Sequence, residues 1–220
     1  MISTIELLTP EDCLSVRKEL EKFKFADGKN SATGGAKELK ENFQLESTFP
    51  EATYIFDGVR NIIKAHPFVA KNILPVSFPR LFANYYAGGH KYDWHVDSAL
   101  MNGARTDYSF TISLKDPDSY EGGALEMHMD DGEIVPFRLP EGHMVIYPTG
   151  QLHRVTEVTS GFRLSIVGWM QSAFCNEEDR SLHAEFLDLM AYFKEKYELS
   201  WEEKNKFYSI KQKMVRRLIK

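Results

Sequence analysis

The chain has 220 residues, of which 43% are hydrophobic and 27% charged, and a formal net charge of −5. That suffices for a packed core and excludes a disordered or fibrous chain. No apolar run approaches the ~18 residues of a membrane span, and Cys13 and Cys175 lack metal-type spacing, so a reduced, cytoplasmic chain is expected.

In chain order, Glu6, Glu11 and Asp12 fall where a secretory signal would be basic and apolar. Thr9-Pro10-Glu11-Asp12 reads as a helix start, with Thr as N-cap, Pro in the first turn and an acid at N3. "DGKNSATGGAKE" (27–38) reads as a glycine-rich polar loop, since no strand–loop–helix context makes it a phosphate site. A second helix is expected over 52–66, with Ile55, Val59, Ile62 and Ile63 on one side and Pro67 ending it.

From residue 75 the pattern changes to short strands. "VSFPRLFANYY", "WHVDSAL", "DYSFTISL", "GALEMHM", "EIVPFRL", "HMVIYP", "HRVTEV" and "FRLSIVGWM" follow one another, separated by turn signals. Many short strands at close spacing predict a sandwich or barrel-like roll. Helices return over 177–195 and 201–217. The expected organisation is a helical region over 1–74 packed on the core, a β core over 75–172, and a helical appendage over 173–220.

The charge is uneven. Residues 201–220 hold seven Lys/Arg against two Glu, a net +5 that leaves −10 for the rest. The plain reading is a solvated amphipathic helix that packs back on the acidic body; a nucleic-acid arm is the lesser reading.

His95-Val96-Asp97 is the first chemical signal. On a strand, residues i and i+2 share a face, so the imidazole and the carboxylate would point the same way, with Val96 packed on the other side. His153, beginning a later strand after a Pro/Gly turn, supplies a third donor. Two imidazoles and one carboxylate on one face of a metal form the arrangement of non-haem Fe(II) oxygenases. His-x-Asp alone is weak, since any exposed strand can carry it. Arg163 strengthens the reading. It lies ten residues after His153, among Leu164, Ile166 and Val167. A guanidinium in an apolar roll needs an anion, and it grips a carboxylate bidentately. The dicarboxylate 2-oxoglutarate answers both needs: its keto-acid end chelates iron and its far carboxylate reaches the Arg.

Tyr86-x-x-Gly89-x-x-Tyr92-x-x-His95-x-Asp97 resembles the prolyl-hydroxylase-type signature of 2-oxoglutarate/Fe(II) dioxygenases. "RTDYSFTISLKDPDSYEGGALEM", "LPEGHMVIYPTGQLHRVTEVTSGFRLSIVGWMQS" and "FADGKNSATGG" resemble the bacterial PKHD-type hydroxylases associated with iron uptake. The resemblance runs from about residue 2 to 172. It implies a mainly β fold with flanking helices, built on a double-stranded β-helix (jelly roll). It implies Fe(II) held by His95, Asp97 and His153, with Arg163 and Tyr86 on the C5 carboxylate of 2-oxoglutarate. It implies hydroxylation of a substrate by O2 with release of succinate and CO2, and ascorbate as a reductant. Tyr92 and Trp169 are expected to line the pocket.

Three features depart from the pattern: His143 stands where the family usually has Asp, Tyr85 where it usually has Arg, and "SALMNGA" after Asp97 is short. The substrate stays open between a prolyl residue in a protein and a small molecule, and the oligomeric state between a monomer and a homodimer. A zinc hydrolase on the same donors and an inactive jelly-roll metal-binding module are the competing readings. Of the other histidines, His128, in a second His-x-Asp with Asp130, reads as surface; His90 falls in the glycine turn, His143 begins a strand, His66 ends a helix before Pro67, and His183 on a C-terminal helix is expected to be interfacial or exposed.

Overall fold

A computed structural model describes residues 1–31 and 35–219. The strands are β1 (Ser3–Glu6), β2 (Ala26–Asp27), β3 (Lys40–Glu41), β4 (Phe43–Glu46), β5 (Pro75–Ser77), β6 (Leu81–Ala87), β7 (Lys91–His95), β8 (Leu100–Met101), β9 (Ala104–Arg105), β10 (Tyr108–Ser113), β11 (Glu121–Gly122), β12 (Leu125–His128), β13 (Ile134–Phe137), β14 (His143–Pro148), β15 (His153–Val155), β16 (Val158–Ser160) and β17 (Phe162–Ser172). The helices are α1 (Pro10–Leu20), α2 (Ala36–Leu39), α3 (Thr53–Ala65), α4 (Pro67–Asn72), α5 (Glu177–Lys196) and α6 (Trp201–Leu218).

The chain divides into two compact units, Met1–Ile62 with Ser77–Gln171, and Ile63–Val76 with Ser172–Lys220. In the first, one antiparallel sheet runs in the order β1-β14-β10-β17-β6-β4-β2 and another in the order β13-β12-β15-β7-β3. Their inner faces pack together: Tyr86, Val145 and Tyr147 from the first sheet meet Leu125, Met127 and Val155 from the second. Each strand is short, and burying one apolar face against the other sheet is what makes it stable. β10 shows how a site is built into such a core. All six of its residues are buried, yet Tyr108, Phe110 and Ile112 alternate with Ser109, Thr111 and Ser113, so one face is small and polar.

The jelly-roll expectation holds: the molecule is mainly antiparallel sheet with flanking helices. The Thr9 start is realised as a full capping box, with Thr9 Oγ1 accepting from Asp12 N at 3.2 Å and Thr9 N donating to Asp12 Oδ2 at 3.0 Å.

Several local expectations need correction. The first 46 residues supply β1, β2, β3 and β4 as well as α1, where a helical region was expected. Strands of two to four residues are too short to show periodicity, and pairing with β14, β6 and β7 is what makes them strands. The expected loop over 27–38 contains a 3-10 turn, Gly28–Ser31, and α2; residues 32–34 of it lie outside the described residues. Pro67 ends one helix and starts another, α4, because a proline fits the first helical turn.

"WHVDSAL" is not one strand. β7 ends at His95, and Asp97 lies beyond it. Register explains this: His95 pairs with His153, the first residue of β15, so the ladder has no partner for residues 96 and 97. Val96 is accordingly 52% exposed instead of packed inward.

The second unit is helical. α5 contacts α4 and α6, Lys71 pairs with Asp188 at 2.7 Å, and Phe207 of α6 meets Phe193 with ring centroids 5.6 Å apart. Among the described residues no helix is long and apolar enough to cross a membrane.

Candidate metal centre

His95, Asp97 and His153 converge at the mouth between the two sheets of the first unit. Each offers one ligand atom, and these atoms lie within 4.8 Å of one another. His95 and His153 are direct cross-strand partners on β7 and β15, with ring centroids 4.2 Å apart. Asp97, from the segment after β7, sets one oxygen 3.7 Å from His95 Nε2 and the other 3.8 Å from His153 Nε2.

Backbone groups orient both imidazoles. His95 Nδ1 lies 2.8 Å from the Asp93 carbonyl and His153 Nδ1 2.8 Å from the Gln151 carbonyl. A carbonyl only accepts, so Nδ1 carries the proton in each ring and Nε2 presents a lone pair to the centre. Asp97 is held as firmly: its Oδ2 accepts from Ser109 Oγ at 2.8 Å and from Trp169 Nε1 at 2.9 Å. Three electron-pair donors thus face one another with no proton between them. Their own repulsion makes this arrangement costly, and a divalent cation relieves it. The donor set of two neutral nitrogens and one carboxylate fits ferrous iron and leaves coordination positions open.

Burial reinforces this state. Burial, then the neighbouring His153 ring, pushes the His95 imidazole down to about 4, against the pull of Asp97. The ring is therefore neutral at pH 7, as a metal ligand must be. Tyr92 stacks on it with centroids 3.6 Å apart, and Tyr147 meets the His153 ring edge-on at 5.1 Å.

The same cavity extends inward to Arg163, Tyr86, Thr111 and Tyr147. Arg163 is 6% exposed, donates through Nη1 to Ser165 Oγ at 2.9 Å, and lies 5.3 Å from the centre of the Tyr86 ring. Among the described residues it has no carboxylate partner within 4.0 Å. Burial drives the Tyr86 hydroxyl up to about 12, with the Arg163 charge opposing, so it is protonated and able to donate. Gly123, at φ +61°, makes room for the arginine: a Cβ there would sit 3.2 Å from Arg163 Cδ and 2.9 Å from Val158 Cγ2. The cavity therefore has a cation-binding mouth and a cationic inner end, suited to a ligand with an anionic group at each end.

Trp169 lines the cavity and also holds Asp97, a contact that was not foreseen. Lys40, Ser109, Thr111 and Tyr147 were missed. For Ser109 and Thr111 the signal existed, in the polar face of an otherwise apolar strand. For Lys40 there was none, because β3 comes beside the site only through the pairing of Lys40 with Tyr92. His128 and Asp130 are exposed, outside the cavity. His143 pairs with Glu6 at the start of β14.

The sequence pattern of the 2OG-Fe(II) oxygenase superfamily matches residues 81–171, a span that contains every member of the triad and Arg163. A PKHD-type hydroxylase of Picosynechococcus sp. is 38% identical over 177 residues, covering 80% of each chain. The chain belongs to the PKHD-type hydroxylase family. A second relative bearing that name, from Acaryochloris marina, is 38% identical with 83% of each chain covered, and one from Bordetella pertussis is 36% identical with the same coverage. Among solved structures, a prolyl-4-hydroxylase of Pseudomonas putida shares the fold with a TM-score of 0.56 at 17% identity, covering 78% of this chain and 92% of that one. A viral collagen prolyl hydroxylase of Paramecium bursaria Chlorella virus-1, solved with 2-oxoglutarate, aligns with a TM-score of 0.54 at 16% identity, covering 78% and 96%. As a PKHD-type hydroxylase the protein is a dioxygenase that uses Fe(II), O2 and 2-oxoglutarate. That decides against the zinc hydrolase.

Proposed function

We propose that His95, Asp97 and His153 hold the Fe(II), and that Arg163, with the Tyr86 hydroxyl, takes the C5 carboxylate of 2-oxoglutarate. The observation that carries this reading is the pairing of three inward-facing acceptor atoms with a buried guanidinium that has no carboxylate partner among the described residues, in one cavity. The bound iron supplies O2 activation coupled to decarboxylation of 2-oxoglutarate, giving succinate, CO2 and a hydroxylated substrate. The chain's own part is placement. Asp93 and Gln151 carbonyls hold the imidazole protons on Nδ1. Ser109 and Trp169 steady the carboxylate. Arg163 sets the depth of the cosubstrate, and the apolar walls keep water from the reacting atoms.

The substrate is a prolyl residue in a protein or a small molecule, and ascorbate sustains turnover by re-reducing iron. The segment 75–172 carries the catalytic core, completed by strands from the first 46 residues, with 173–220 as a helical appendage and a homodimer as the assembly. The protein works in the cytoplasm, with neither membrane nor nucleic acid as partner. The catalytically inactive module fails if purified protein forms succinate from 2-oxoglutarate only with iron. His95→Ala and Asp97→Ala should abolish that activity; variants turning over like the parent would overturn the ligand assignment.

A further inference from the structure

Lys40 has no role in the site described so far. It is 6% exposed, on β3, and it lines both the inner cavity and a second, outer recess of about 430 Å³. The recess shares Lys40, Tyr92, Asp97 and Trp169 with the inner cavity, so it adjoins the Asp97 carboxylate. Phe82, Leu100 and Arg80 also line it.

Lys40 Nζ lies 5.2 Å from the centre of the Tyr92 ring and 5.8 Å from that of Phe82. Among the described residues its only hydrogen-bond partner is Ser31 Oγ, at 3.0 Å, and no carboxylate lies within 4.0 Å. An ammonium has three donors, so two are left for a ligand. The Asp97 carboxylate bears on it electrostatically but is taken up by Ser109 and Trp169 and directed at the metal. Arg80, the other cation of the recess, is already paired with Glu46 at 2.7 Å. A buried cation without a partner costs stability unless a ligand completes it. Arg163 lines the inner cavity but not the recess, so with Arg80 paired Lys40 is, among the described residues, the cation of the recess left for a ligand.

We propose that Lys40 is the anchor for the substrate, and that the substrate is a small molecule carrying a carboxylate, of the size and kind of a free amino acid, bound in the outer recess. This rests on the dioxygenase site proposed above. A volume near 430 Å³ is at the small-molecule end of ligand sites, and its largely polar lining, with Phe82, Tyr92 and Trp169 among it, suits a small polar molecule with a charged group. A neutral peptidyl segment would offer the ammonium carbonyl oxygens but no counter-charge.

The test uses the iron-reconstituted full chain, the free L-amino acids, and the same set as α-carboxamides. At least one free acid should raise succinate formation above the substrate-free rate, and its amide should need at least tenfold more for half-saturation, as loss of a charge-assisted contact implies. In Lys40→Gln the preference for acid over amide should collapse, with a larger shift in half-saturation for the acid than for 2-oxoglutarate; Lys40→Arg should restore part of it. The same acid should raise the melting temperature of the metal-free protein, and its amide should not. Amides that work as well as acids, no response to any free acid while iron-dependent succinate formation is intact, or a Lys40→Gln effect confined to 2-oxoglutarate would overturn the inference. Loss of all iron-dependent succinate formation in the parent would instead count against the dioxygenase site. If Lys40→Gln does not fold, the acid–amide comparison on the parent decides alone.

Discussion

Ser109 and Trp169 face each other across β10 and β17, and both donate to Oδ2 of Asp97. The carboxylate proposed as a metal ligand is thus fixed from the opposite sheet, because its own backbone has left the ladder. Ser109→Ala and Trp169→Phe should each weaken ferrous or manganous ion binding about tenfold or more, the usual effect of removing a group that orients a ligand. Titration calorimetry on the metal-free protein measures it. Unchanged affinity in both variants would show that Asp97 needs no such support.

Arg163→Met should raise the KM for 2-oxoglutarate by at least tenfold, since a charge-assisted bidentate contact contributes about 1.5–3 kcal/mol. The methionine keeps the side-chain volume, so folding should survive. Equal KM values in parent and variant would remove Arg163 from the cosubstrate site.

Gly123→Ala tests the same arginine from its other side. The new methyl would press on Val158 and on Arg163 Cδ at a backbone φ of +61°, where only glycine is free of strain. The expected outcome is a destabilisation of about 1 kcal/mol or more together with a raised KM for 2-oxoglutarate. A lower melting temperature with an unaltered KM would mean that the guanidinium does not depend on that clearance.

The depressed His95 imidazole predicts the pH dependence of the metal-free protein. In the unfolded chain the group titrates near 6.5 and in the folded one near 4. Between those values the unfolded state binds the extra proton, so stability is fully present above about pH 6.5 and declines as pH falls toward 4. The loss is on the order of 3 kcal/mol at most. Metal binding should weaken over the lower part of the same window, because the proton competes for Nε2. Denaturant melts from pH 7 to 4.5 on the parent and on His95→Gln should show a steeper decline for the parent.

The reaction class was legible along the chain, and so was the grouping of His95, Asp97, His153 and Arg163 in one cavity, because such residue types are few and their order along short alternating strands is restrictive. The jelly roll was legible for the same reason: turn signals and period-two alternation are local. Only the tertiary structure decided how these groups are held. Asp97 belongs to no strand, and it is held by Ser109 and Trp169 of the opposite sheet, 12 and 72 positions away in the chain. Lys40 enters the site through two residues of strand that have no periodicity to read. Hydrogen bonds and cross-strand neighbours between separate strands are products of folding, and no local pattern says which residues they join.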